Sequence, residues 1–251
     1  MAENGGNTIN ILGVEISEES MSDTVKKLLG YLDEPRMHAV YTPNSEIIYM
    51  AYKDEKFREV LNSAEIRTAD GIGVVYASKI LKKPISERVA GYDLMHAFLK
   101  EAAKDKRKVY LFGSKPGVAE NAGRMLCDMY KGLEICGTRN GYFSEADTDG
   151  IIKGINAAKP DILLVCLGAP KQEKWIYDNR DKLDVRVAMG LGGSLDTLTG
   201  VLKRAPESWQ KLGLEWAYRL VCDPKRIIRM TALPRFALTV LFKGKRYKNE
   251  K

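Results

Sequence analysis

Lys108-Val109-Tyr110-Leu111-Phe112-Gly113-Ser114-Lys115-Pro116-Gly117 is an apolar run that stops at a glycine-rich turn. Consecutive apolar residues bounded by turn signals read as a strand covered on both faces, the mark of a parallel sheet. A helical pattern follows to about Tyr130. The unit recurs at Asp161 to Leu167, which leads through Gly168-Ala169-Pro170 into a helix, since proline suits a first helical turn. His38 to Tyr41 reads as a strand ending at Thr42-Pro43-Asn44, with a helix from about Ser45. The run 64–69 reads as another, stopping at Asp70-Gly71 before a helix over 72–82. Val185 to Met189 ends in Gly190-Leu191-Gly192-Gly193-Ser194. Helices are also expected over 18–32, 92–104 and 147–158, and a strand over 133–137. Repeated βα units predict an α/β, Rossmann-like domain, a largely parallel sheet with helices on both faces.

The 251 residues and 45% hydrophobic content suffice for one large domain with an appendage. Cys127, Cys136, Cys166 and Cys222 are widely spaced, which suits reduced thiols better than disulfides or a zinc site. The N-terminal residues show neither a basic nor an apolar signal region, and no run of about 18 apolar residues spans a bilayer. The net charge of +7 is unevenly divided. Residues 203–251 hold 13 Lys and Arg against 4 Asp and Glu, a net of +9, while residues 1–202 sum to −2. We therefore divide the chain into a Rossmann-like main domain, 1–202, and a basic helical appendage, 203–251. In the appendage Trp209, Leu212, Trp216 and Leu220 form one apolar helical stripe, and bases interleave with leucines and aromatics to Lys248. That texture suits a helix lying in an anionic membrane interface. The apolar stripe could instead hold a homodimer away from the membrane.

Chemistry in such folds gathers at the carboxyl ends of the strands. Asp70 stands at one such end, with Gly71 and Gly73 beside it, and is the first candidate. Five polar or glycine-rich loops on one sheet edge predict a cleft lined by backbone N–H groups, suited to a phosphate or nucleotide. Neither G-x-G-x-x-G, nor a P-loop, nor a G-x-S-x-G elbow is present, and His38 and His96 are the only histidines. Asp147-Thr148-Asp149 imitates a metal-binding D-x-D, yet reads better as helix capping. By elimination the general base is a carboxylate, and arginines balance phosphate charge.

Thr42-Pro43-Asn44, Thr68-Ala69-Asp70-Gly71-Ile72-Gly73, Arg88-Val89-Ala90-Gly91-Tyr92-Asp93, Phe112 to Gly117 and Leu167 to Glu173 resemble, in order and spacing, the WecG/TagA/CpsF glycosyltransferases. The resemblance covers nearly the whole chain. It implies an inverting, metal-independent transfer of N-acetylmannosamine from UDP-N-acetylmannosamine, with no cofactor. The acceptor would be the 4-hydroxyl of N-acetylglucosamine on undecaprenyl diphosphate, the committed step of the wall teichoic acid linkage unit. It gives Asp70 the role of base and Arg88 a catalytic contact with sugar or diphosphate. Thr42, Asn44 and Gln172 become pocket residues, with Gly113 and Ser114 of the matching glycine-rich turn as further substrate contacts; Tyr142 and Asp196 are candidate nucleotide contacts because they lie near glycine-rich turns. Arg219, Arg226 and Arg229 would carry charge from the appendage to a diphosphate. The expected location is cytoplasmic, peripheral on the inner face of the membrane. Asn44 can also be read as a helix cap, and Arg88 as a partner of Asp93. The alternatives are another donor sugar (N-acetylmannosaminuronic acid or glucose), a non-catalytic envelope scaffold, or a nucleic-acid-binding protein using the basic tail; the tail's apolar stretch argues against nucleic acid.

Overall fold

The structure, a computed structural model, describes residues 7–223, 230–244 and 246. It opens on a hairpin absent from the sequence reading, β1 (Thr8–Ile11) paired antiparallel with β2 (Val14–Ser17). Leu12 and Gly13 form the turn with φ of 55° and 91°. A leucine rarely adopts that conformation, so the usual turn signal is missing.

Six strands follow: β3 (His38–Tyr41), β4 (Ile66–Arg67), β5 (Lys108–Gly113), β6 (Glu134–Arg139), β7 (Ile162–Cys166) and β8 (Val187–Gly190). They lie in the order β4-β3-β8-β7-β5-β6, and every pairing is parallel. The strand expected over 64–69 shrinks to two residues, because its partner β3 ends at Tyr41. Single hydrogen bonds from Glu65 N–H to Ala39 O and from Thr68 N–H to Tyr41 O, both 3.0 Å, extend the contact on either side. The buried Arg67 guanidinium joins the hairpin to this edge, donating to the carbonyls of Glu15, Asn62 (3.1 Å) and Ala64.

The helices are α1 (Met21–Tyr31), α2 (Ser45–Lys53), α3 (Glu55–Asn62), α4 (Ile72–Ile80), α5 (Gly91–Ala102), α6 (Val118–Met129), α7 (Thr148–Ala158), α8 (Lys171–Asn179), α9 (Ser194–Leu198), α10 (Glu207–Lys211), α11 (Glu215–Cys222) and α12 (Ala232–Lys243). Side chains alternate across the sheet, as a period of two requires. Tyr41, Phe112, Leu163, Val165 and Ala188 meet α2, α3, α4, α7, α8 and α12 on one face. Val40, Leu111, Ile162, Leu164 and Met189 meet α1, α5, α6 and α9 on the other. The α/β, Rossmann-like architecture with a helical C-terminal region is the one expected.

The appendage departs from the single stripe read in the sequence. Gly213 (φ 71°) ends α10 in a left-handed cap, and the rings of Trp209 and Tyr218 then meet edge to face at 5.7 Å. The apolar residues are thus divided between two short helices. On α12, Phe236 and Val240 are buried in the main core, while Leu238, Leu241 and Phe242 face outward. Among the described residues no helix is long and apolar enough to cross a membrane.

Gly113 is where the packing leaves least room. Its φ is +133°, and a Cβ there would lie 2.2 Å from the Cys166 carbonyl oxygen at the end of β7. Gly113→Ala is expected to destabilise the fold by about 2 kcal/mol or more, read as a fall in the urea midpoint at unchanged slope.

Candidate active site

Adjacent central strands β3 and β8 are followed by helices on opposite faces, α2 on one and α9 on the other. Such a divergence opens a crevice at the strand ends. The loops after β3, β4, β7 and β8, with residues 201–204 and parts of the appendage, enclose a cavity of about 540 Å³ there. Thr42 pins the crevice: its Oγ1 donates to the Gly190 carbonyl at 3.2 Å. Asn44 caps α2 as expected, its Oδ1 accepting from Glu46 N–H (3.0 Å) and Ile47 N–H (3.1 Å), while also lining the cavity.

Asp70 lies where the sequence placed it, beyond β4. Its Oδ1 accepts from the N–H of Gly91, the first residue of α5, at 3.2 Å. A carboxylate at a helix N-terminus is favoured by the helix dipole.

Arg88 is not among the residues around this cavity, and the alternative pairing with Asp93 is not formed. Its guanidinium pairs with Glu215 on α11. Burial opposes the charge, but the hydrogen bond and field of Glu215, followed by Asp70 and Asp93, hold the Arg88 pKa above its ordinary value. Asp93 pairs instead with Arg204 at 2.5 Å, and the Arg204 guanidinium lies 4.5 Å from the centre of the Tyr92 ring. Arg88 borders a second cavity of about 530 Å³, walled by Tyr76, Ile80, Trp216, Leu233, Phe236 and Val240. Asp70, Asn44, Glu46 and Glu215 border both cavities. The first compartment is of mixed polarity and the second mostly apolar, and Asp70 borders both.

Gln172 is buried at the cavity wall, with Nε2 donating to Glu173 Oε1 and Oε1 accepting from Gly192 N–H, both at 2.8 Å. Gly113, Ser114 and Asp196 occupy the same sheet edge beside the 540 Å³ cavity without lining it. Ser114 Oγ donates to Asp196 Oδ2 at 2.9 Å, and Gly141 N–H donates to the Ser114 carbonyl at 2.9 Å. Tyr142 follows, largely exposed. Of the appendage arginines, Arg219 is on α11 with its side chain outside the described atoms, and Arg226 and Arg229 lie outside the described residues.

Lys203, Arg204, Tyr92 and Glu215 line the cavity without having been singled out in the sequence. Lys203 and Arg204 were counted only as part of the basic tail, where charge alone does not distinguish a lining cation from a solvated one. The Asp147 carboxylate accepts from the Ser144 backbone and hydroxyl, both at 2.8 Å, which lowers its pKa, and Asp149 pairs with Lys182 at 3.3 Å. Asp147 is thus held in a local capping box, and Asp149 in an exposed ion pair with a residue distant in sequence. Among the described residues no three His, Cys, Asp or Glu side chains converge as a metal site.

A parallel α/β sheet with a crevice at its strand ends and a carboxylate beside it is the layout in which enzymes of this fold place a ligand site. Residues 9–250 match the Glycosyl transferase WecG/TagA/CpsF family, and the chain belongs to it. It is similar to the N-acetylglucosaminyldiphosphoundecaprenol N-acetyl-beta-D-mannosaminyltransferase of Bacillus subtilis (strain 168), 38% identical over 96% of this chain and 92% of that protein. The proteins of the same name from Bacillus spizizenii and Staphylococcus aureus (strain MRSA252) are 39% and 34% identical, over 84% and 97% of this chain and 81% and 96% of theirs. The protein is a glycosyltransferase.

Burial pushes the Glu173 carboxyl up to about 7 from 4.5, with the Gln172 hydrogen bond opposing. Between these values the folded protein binds the proton and the unfolded chain does not, so stability falls as pH rises. The loss through this window should be about 3 kcal/mol. Glu173→Gln should abolish that part of the slope in urea titrations run from pH 5 to pH 8.

Proposed function

We propose that the protein transfers N-acetylmannosamine from UDP-N-acetylmannosamine to the 4-hydroxyl of N-acetylglucosamine on undecaprenyl diphosphate, with inversion and without a metal. The observation that carries the reading is Asp70 at the border of a mixed compartment, lined by Lys203 and Arg204, and a mostly apolar one. A nucleotide-sugar suits the side with the cations, and the lipid-linked acceptor suits the mostly apolar side. The names of the relatives specify this acceptor and sugar for those proteins.

In this reading the acceptor hydroxyl oxygen attacks the anomeric carbon and gives its proton to the Asp70 carboxylate. The bond from that carbon to the diphosphate oxygen breaks on the opposite face, and UDP leaves with the electron pair. Charge that develops on the diphosphate meets Lys203 and Arg204 at the cavity wall, with Arg219, Arg226 and Arg229 brought in by the appendage. Arg88, held by Glu215, serves the acceptor side. Thr42, Asn44 and Gln172 shape the donor pocket. Gly113, Ser114, Tyr142 and Asp196 extend it towards the nucleoside. The outward Leu238, Leu241 and Phe242, with the basic tail, suit peripheral docking on the inner face of an anionic membrane, where the acceptor resides. Off the membrane the same apolar surface would suit a homodimer.

UDP release with a lipid-diphosphate N-acetylglucosamine acceptor tests the chemistry. Release should depend on the acceptor, persist in EDTA, and fall by about 100-fold or more in Asp70→Asn. Failure with this donor while another nucleotide-sugar is consumed would replace the sugar and leave the site reading intact. For the membrane face, Leu241→Ser with Phe242→Ser should weaken cosedimentation with phosphatidylglycerol vesicles at unchanged Tm; undiminished binding would remove that part of the reading.

A further inference from the structure

Glu173 sits in the first turn of α8 at 1% exposure. Its Oε1 accepts from Gln172 Nε2 at 2.8 Å, and its Oε2 meets no donor among the described residues. The Tyr41 hydroxyl, from β3, donates to the Glu173 backbone carbonyl at 3.1 Å and leaves the carboxyl alone. At its other end the Gln172 amide accepts from Gly192 N–H at 2.8 Å. A carboxylate offers only acceptors and a backbone N–H only a donor. Between the two, the amide has one satisfactory orientation, with nitrogen to Glu173 and oxygen to Gly192. The absence of a side chain at Gly190 makes room for it, since a Cβ there would lie 3.0 Å from Nε2.

This arrangement is poor for stability. A carboxyl group buried with half its hydrogen-bonding capacity unmet costs free energy, and an apolar residue of similar volume at such a place is often neutral or stabilising. The cost is tied to one consequence: Gly192, with Gly193 and Ser194, forms part of the 540 Å³ cavity wall. The geometry points to Glu173 as a positioning residue that, through the Gln172 amide, holds the Gly192–Gly193 turn in the shape that receives the donor. The inference rests on the reading of that cavity as the donor site. Protonation on Oε2 leaves Oε1 an acceptor, so the clamp works in either charge state. A glutamine at 173 can supply the same acceptor.

The test uses the full chain with Glu173→Gln, Glu173→Leu and Glu173→Met, and reads Gly192 amide hydrogen exchange, Tm, donor KM and kcat. Glu173→Leu and Glu173→Met are expected to keep or raise Tm. Their Gly192 exchange should quicken, and their donor KM rise, by about tenfold, with kcat nearly unchanged, as loss of one hydrogen bond implies. Glu173→Gln should restore both to near wild type. Wild-type exchange and KM in the apolar variants would overturn the inference. So would failure of both to fold, or a KM rise that merely follows a fall in Tm, since either makes Glu173 a stability residue. Exchange at Gly192 needs no donor. A wild-type enzyme that consumed no UDP-sugar would therefore sink the functional reading while the exchange data still decided the clamp.

Discussion

The divergence of β3 and β8 governs this molecule. A parallel sheet buried on both faces needs helices above and below, and somewhere adjacent strands must send their helices opposite ways. The β3–β8 pair, one strand in from the β4 edge, is one such place, with α2 and α9 leaving it on different sides. The backbone cannot close over the gap, so the crevice is lined by loop N–H groups and by the residues that brace it. Thr42 ties one lip to the other through the Gly190 carbonyl. Gln172 ties the Gly192 turn to α8.

Two carboxylates near this seam are held in contrasting ways. Asp70 accepts a hydrogen bond from the first N–H of α5 and borders both compartments. Glu173 is enclosed beside apolar packing, a setting that opposes charge. Separation of environments lets neighbouring acids serve different ends. One suits proton transfer, and the other suits holding an amide.

The appendage is part of the site as well as an attachment to it. Phe236 and Val240 anchor α12 in the main core, and Glu215 of α11, which borders both compartments, holds Arg88 at the mostly apolar one. The opposite side of α12 keeps Leu238, Leu241 and Phe242 outward. A helix apolar on two sides satisfies the protein with one and leaves the other for a different apolar phase. The step that consumes a lipid-linked sugar would then be coupled to the surface on which that lipid lies.

By itself the sequence determined the parallel sheet, its loop-bearing edge and the position of Asp70. Buried strands are continuous apolar runs, and their turns announce themselves by glycine, proline and asparagine. Asn44 as a cap and Asp147 as part of a local box were legible too, because both act over three residues or fewer. The hairpin at Leu12 escaped notice because its turn uses a residue that normally avoids it. The partners of Arg88 and Asp93 escaped because opposite charges attract over any loop length, and only packing decides which pair meets. The same holds for Lys203 and Arg204 at the cavity wall and for the buried carboxyl of Glu173. Local chemistry is written along the chain, whereas burial and distant charge pairing depend on how the chain closes in space, and only the tertiary structure decided them.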